Sequence, residues 1–137
     1  GVRAAKTYLA AAKIDATGFV MADGGGLSRA SRISPMQMTE VLEHAYSAPW
    51  GKGFVDSLAR SGIDHSMRKR LAESRYRGKV AAKTGTLNGV KALSGYAFNR
   101  SGKVLAFSIL VNDSHNNWAA KAFTDRVCKA LVDEPLE

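Results

Sequence analysis

Val2, Ala5, Leu9 and Ala12 recur at helical spacing, so the chain is expected to open in an amphipathic helix ending near Lys13. Residues 18–23 read as a short buried strand. They run into Gly24-Gly25-Gly26-Leu27-Ser28-Arg29, whose glycines permit backbone angles that other residues resist. Ser34-Pro35-Met36-Gln37 is a strong helix start: a capping serine, proline at the first helical position, and glutamine three residues after the cap. Met38, Val41, Leu42 and Ala45 supply that helix's apolar stripe. Pro49 and Gly51 break the pattern, a short helix follows over 54–60, and Ser61-Gly62 ends it.

From residue 79 the hydrophobic period changes. Three strands are expected at 79–87, 92–98 and 103–111, separated by turn signals at Asn88-Gly89 and Asn99-Arg100-Ser101-Gly102. Such short connections make an antiparallel meander. Asn117 is expected to cap a last helix that packs Trp118, Ala122, Phe123, Val127, Ala130 and Leu131 on the sheet. The fold class is therefore α+β, with helices segregated against an antiparallel sheet. Three strands and one closing helix leave at least one sheet edge open, which is expected of part of a larger fold.

Composition adds limits. The 137 residues are 45% hydrophobic and 8% aromatic, enough for one domain with a real core. The longest apolar run, Val104 to Val111, is broken by Ser108 and is far short of the roughly 20 residues of a membrane span. Gly1 leads directly into the helical pattern without a secretory signal, so the chain is expected either to be cytosolic or to have its true N-terminus upstream. The single cysteine, Cys128, excludes an internal disulfide and a multi-thiolate zinc site, and its neighbours Val127 and Leu131 make it a core residue. His44, His65 and His115 show no metal-ligand spacing, and no cofactor is implied. Twenty Lys plus Arg against twelve Asp plus Glu give a net charge of +8, densest at Arg68-Lys69-Arg70 and across residues 75–79. That charge suits an anionic polymer, but no aromatic ladder or nucleic-acid motif accompanies it, so a solvated basic face is the simpler reading.

Lys83-Thr84-Gly85-Thr86 is the most informative tetrad. On a strand, Thr84 and Thr86 point to one side, Gly85 lets a ligand approach, and the Thr86 N–H is available to a carbonyl oxygen. A phosphate-binding loop is rejected, because Ala82 replaces its second glycine and a strand follows; Arg29 likewise breaks a dinucleotide fingerprint in the glycine-rich loop.

Four segments in order carry a family resemblance: Asp23-Gly24-Gly25-Gly26-Leu27-Ser28-Arg29, Ile33-Ser34-Pro35, the run from Ser61-Gly62-Ile63-Asp64 to Arg70, and the Lys-Thr-Gly strand with its Asn88-Gly89-Val90 turn. Over nearly its whole length the chain resembles the class C low-molecular-mass penicillin-binding proteins. These are the D-Ala-D-Ala carboxypeptidases/endopeptidases of serine peptidase family S13, typified by penicillin-binding protein 4. Departures are Gly25 for serine, Ser31 for asparagine, and His65-Ser66-Met67 for Gly-Thr-Leu.

The resemblance implies the C-terminal portion, residues 1–137, of a penicillin-binding-protein/β-lactamase-like transpeptidase fold in the cell envelope, periplasmic or secreted. Its substrate is a peptidoglycan stem peptide, its inhibitors are β-lactams, and its Ser-x-x-Lys and Ser-x-Asn motifs lie in an upstream part of the same protein. Lys83 would face the substrate carboxylate, Thr84 and Thr86 would bond it, the Thr86 N–H would form half of the oxyanion hole, and Leu27 and Leu87 would line a side-chain pocket. Ser66-Met67-Arg68-Lys69 and Ser114-His115-Asn116 mimic the missing motifs in the wrong order, and Lys69 between two arginines lacks the burial a base requires. The chain alone is thus expected to be inactive. The alternative from another class is a non-catalytic basic module that binds cell-wall polymer or nucleic acid.

Overall fold

The computed structural model describes residues 1–135. Strands β2 (Val80–Leu87), β3 (Val90–Phe98) and β4 (Val104–Val111) form the expected antiparallel meander. The Asn88-Gly89 turn sets Leu87 opposite Val90, and Gly89 supplies the positive φ of 74° that this turn requires. A fourth strand, β1 (Ala59–Arg60), pairs with Ala82 and Ala81 on the other side of β2, so the sheet order is β1-β2-β3-β4. Its two residues are too few to show alternation, and they sit where a helix was expected to continue. That helix is α3 (Gly51–Ser57), displaced toward the N-terminus. Gly51 starts it rather than breaking it, and the position requires glycine, since an added Cβ would come within 2.6 Å of the Ala45 carbonyl oxygen.

Helices cover both faces of the sheet. The opening helix α1 (Val2–Ala11) has no side-chain cap and stops before Lys13, whose φ of 58° ends it. It meets α2 (Pro35–Ser47) through the Tyr8 hydroxyl and His44 Nδ1, 2.7 Å apart. The capping box on α2 is complete: Ser34 Oγ accepts from the Gln37 N–H, and Gln37 Oε1 accepts from the Ser34 N–H. On this face Leu42 and Val55 pack on Ala81 and Tyr96. On the opposite face α4 (Asn117–Asp133) lays Cys128 and Val132 over Val80, Ala82, Leu93, Ala97 and Phe107.

The last helix presents a rotated stripe: of the residues expected to pack, Leu131 does meet the core, but the buried line is another. Ala120, Thr124, Cys128 and Val132 are buried at four-residue spacing, while Trp118 and Phe123 are 78% and 44% exposed. Asn116, not Asn117, is the cap, accepting from the Ala119 N–H. Residues 18–23 form no strand of the sheet either: with no extended neighbour alongside, only Val20 bridges, to Arg32, and it is exposed. Gly95 marks the tightest approach inside the sheet, since a Cβ there would lie 2.6 Å from Ala82 Cα.

Two core groups make the fold alkali-sensitive. Burial pushes the Cys128 thiol from 9.0 up to about 12, and burial likewise raises the Tyr96 phenol from 10.0 to about 12. The Tyr96 hydroxyl donates to the Leu42 carbonyl at 2.6 Å. Between pH 9 and 12 the unfolded chain gives up protons that the folded chain keeps, so stability falls as pH rises through that window. Urea midpoints should therefore drop from pH 8.5 to 11, and Cys128→Ala with Tyr96→Phe should flatten the drop. A midpoint equally steep in the double variant would contradict this.

Candidate active site

The strand carrying the tetrad begins in the densest part of the core. Val80, Ala81 and Ala82 are fully buried, and Ser61 clamps the strand's start: its N–H donates to the Val80 carbonyl, and its Oγ accepts from the Val80 N–H. On the other side the Phe98 N–H donates to the Lys79 carbonyl. In an antiparallel ladder these alternate, so even-numbered residues of β2 turn their backbone groups toward β1 and odd-numbered ones toward β3. β1 ends its pairing at Ala82. Beyond it, the N–H and C=O groups of Thr84 and Thr86 project from a bare strand edge.

The side chains alternate at right angles to that edge. Thr84 and Thr86 continue the α4 face of Val80 and Ala82; Lys83 and Gly85 continue the α2 face of Ala81. Lys83 is exposed, and its Nζ donates to the Thr84 carbonyl at 2.6 Å, which brings the ammonium back to the open edge. It has no carboxylate partner among the described residues. A Cβ on Gly85 would meet Ala92 Cβ at 3.2 Å, so glycine here serves packing against β3 and also keeps the face low.

A cavity of about 220 Å³ opens on the threonine face, lined by Ser66, Arg70, Thr84, Thr86, Lys91 and Lys121 among others. A second, of about 460 Å³, separates loop residues 28–33 from the β2–β3 turn and is lined by Leu87, Ile33 and Leu110. The two leucines expected to share a pocket are not brought together: Leu87 lines this cavity, whereas Leu27 is 75% exposed and outside it. Asp23 holds the glycine-rich loop by accepting from the N–H groups of Gly26, Leu27 and Ser28. The Arg29 guanidinium docks that loop on β2–β3 by donating to the Asn88 carbonyl at 2.6 Å. Positive φ falls at Gly26 and not at Gly25, so the Gly25 departure answers no backbone demand.

The lookalike motifs come apart in three dimensions. Ser66, on a short 3-10 turn (His65–Met67), lines the threonine cavity, but Lys69 lines a different one beside Glu73 and Asp125. Asn116 is occupied as a helix cap, and Ser114 Oγ donates to its carbonyl. The basic cluster is largely the solvated face the sequence implied, since Arg68, Lys69, Arg75, Arg77 and Lys79 are exposed. The exception is Arg70, buried against Asp125 and Thr124; with the Arg75–Asp133 and Lys129–Glu73 pairs it joins residues 68–79 to α4. Lys91, whose Nζ donates to Thr86 Oγ1 at 3.0 Å, went unnoticed in the sequence. The two-residue turn at Asn88-Gly89 sets the register that places it opposite Thr86 and was the signal available.

Comparison with known proteins places this geometry. Residues 1–132 match the D-Ala-D-Ala carboxypeptidase 3 (S13) family. The chain is 37% identical over 125 residues to the D-alanyl-D-alanine carboxypeptidase of Actinomadura sp. (strain R39), covering 88% of this chain and 23% of that protein. It is 32% identical over 114 residues to the D-alanyl-D-alanine carboxypeptidase DacB of Haemophilus influenzae, covering 82% of this chain and 24% of the relative. It thus spans about a quarter of the length of these curated relatives. The crystal structure of penicillin-binding protein 4 from Haemophilus influenzae superimposes with a TM-score of 0.83 at 26% identity, over 94% of this chain and 31% of that one. The same protein complexed with a β-lactam gives 0.84 at 27% identity, over 94% of this chain and 32% of that one. No helix among the described residues is long and apolar enough to cross a membrane.

Proposed function

The chain belongs to the D-Ala-D-Ala carboxypeptidase 3 (S13) family, and on that premise we propose that it is the C-terminal portion of a serine D,D-peptidase of the cell envelope. It would supply one wall of a cleft whose nucleophile comes from an upstream part of the same protein. The observation that carries this reading is the edge of β2 beyond Ala82, where no strand pairs with Thr84 and Thr86 among the described residues and the Lys83 ammonium folds back onto the Thr84 carbonyl.

In this reading a stem peptide ending in D-Ala-D-Ala lies along that edge, pairing with the exposed N–H and C=O groups. Lys83 provides positive potential for the terminal carboxylate, and the Thr84 and Thr86 hydroxyls donate to it. The Thr86 N–H, aimed outward by the ladder alternation, stabilises the oxyanion that forms when the serine hydroxyl adds to the scissile carbonyl. The serine's proton passes to the lysine of Ser-x-x-Lys, the amide C–N bond breaks, and D-alanine leaves protonated. Water then hydrolyses the acyl-enzyme ester. Residues 1–137 do not need a metal or organic cofactor for these roles. Leu87 would contact the side chain before the scissile bond; Leu27 reaches it only if the loop moves or the upstream part folds over it.

The test is release of D-alanine from a D-Ala-D-Ala-ended stem peptide by the full-length protein, with and without prior exposure to a β-lactam. Release that the β-lactam abolishes is expected. A folded protein that releases none, or one that is indifferent to the β-lactam, would overturn the reading.

A further inference from the structure

Lys91 stands directly opposite Thr86 on β3, and residues paired across a ladder share a face. Its side chain therefore leaves the sheet with Thr84 and Thr86, while Lys83 leaves from the other side. The Lys91 ammonium donates to Thr86 Oγ1 at 3.0 Å and pairs with no carboxylate among the described residues. Lys121 lines the same cavity, and it too has no ion-pair partner among them. A threonine hydroxyl has one proton and two lone pairs. With the ammonium on a lone pair, its proton is left to point away from Lys91, and donation from a cation makes it a stronger donor in turn.

We propose that Lys91 is a positioning residue for the substrate's terminal carboxylate: it orients and polarises the Thr86 hydroxyl so that this hydroxyl donates to the anion. This rests on the assignment of Thr84 and Thr86 as the carboxylate site. Two ammonium groups then flank the strand, Lys83 from the α2 face at the edge and Lys91 from the α4 face through Thr86. Selectivity for a free carboxylate over an uncharged C-terminus follows, because a carboxamide oxygen gains less from a charge-assisted donor than an anionic oxygen does. The peptide amide that is cleaved does not touch Lys91, so the effect falls on substrate binding.

The experiment uses the full-length protein and two N-acyl-D-Ala-D-Ala peptides that differ only at the C-terminus, free carboxylate against carboxamide. Lys91→Met should raise KM for the carboxylate peptide about tenfold, the size expected for one lost charge-assisted hydrogen bond. The rise in KM should exceed any fall in kcat, and the loss should be smaller for the carboxamide than for the carboxylate; an unchanged melting temperature shows that the variant is folded. Lys91→Arg should restore most of the loss. In a Thr86→Val background, Lys91→Met should add nothing further. A wild-type KM in Lys91→Met alongside a raised KM in Thr86→Val would overturn the role of Lys91 alone. A full additional loss in the Thr86→Val background would overturn the route through Thr86. Carboxylate and carboxamide handled alike by the unmodified protein would instead remove the carboxylate site itself, and the proposal with it.

Discussion

Replacing Lys83 with alanine in the full-length protein should lower kcat/KM for a D-Ala-D-Ala peptide about 10²- to 10³-fold, the range for removing one preorganised electrostatic stabiliser. The same substitution should leave thermal stability almost unchanged. Both halves follow from the geometry. The side chain is exposed, and its one hydrogen bond among the described residues is to the carbonyl of the next residue. Nothing in the fold depends on it, and surface substitutions of this kind stay within about 0.5 kcal/mol. Yet the ammonium stands where the edge of β2 has no strand partner among the described residues, next to the outward groups of Thr84 and Thr86. A cation left unpaired at a bare strand edge contributes little to folding and much to an anionic ligand lying there. Activity within twofold of the unmodified protein, at equal melting temperature, would rule out Lys83 as the carboxylate's cation.

The second large effect is on stability. Arg70 is 7% exposed. Its Nε and terminal nitrogen donate to Asp125 Oδ1 at 2.9 and 2.7 Å, and the terminal nitrogen also donates to Thr124 Oγ1 at 2.6 Å. Its own carbonyl accepts from the Gly62 N–H. One side chain thus fastens residues 62–70, which lead into β2, to the buried face of α4. Arg70→Met keeps the volume but strands the Asp125 carboxylate. Breaking a buried pair costs about 3–5 kcal/mol, and the 21% exposure of Asp125 places this case near the lower end. At about 3 °C per kcal/mol for a chain of this size, the melting temperature should fall roughly 10 °C. Pairing the change with Asp125→Leu should recover most of the loss, since removing both charges leaves no ion buried alone. A single variant that melts with the unmodified protein would show that the pair holds nothing.

Where charge and burial coincide, the sequence misleads. Arg70 lies between Lys69 and Leu71 in a basic run and reads as solvent-facing; only the approach of α4 makes it interior. The same helix shows the converse, since Trp118 and Phe123 read as core and stay exposed while Thr124 is buried. Hydrophobicity names an apolar stripe, but which stripe meets the sheet depends on where neighbouring segments sit. Local signals fared better. The Ser34 capping box and the Asn88-Gly89 turn are decided by contacts within four residues, and both stand as read. β1 escaped notice because two residues carry no period, and residues 18–23 were misread because a strand needs a partner that pattern does not supply.

The tetrad was legible for a similar reason. Alternation along a strand fixes that Thr84 and Thr86 share a side, and the register adds Lys91 to it. That β2 is bare beyond Ala82, and that Lys83 folds back to this edge, required the pairing of β1 and the path of the side chain. Leu27 and Leu87 were joined by the family resemblance; Arg29 docks the glycine-rich loop beside Leu87, yet Leu27 itself stays exposed and outside the cavity that Leu87 lines.

The most direct test is to locate the covalent adduct. The full-length protein is incubated with a labelled β-lactam, digested, and the acylated peptide is identified by mass. The account predicts a single acylated serine outside residues 1–137, with residues 1–137 expressed alone acquiring no label. Label on Ser66, or on any side chain of this segment, would mean that the strand edge described here serves a nucleophile of its own and that the division of the cleft between two parts of the protein is wrong.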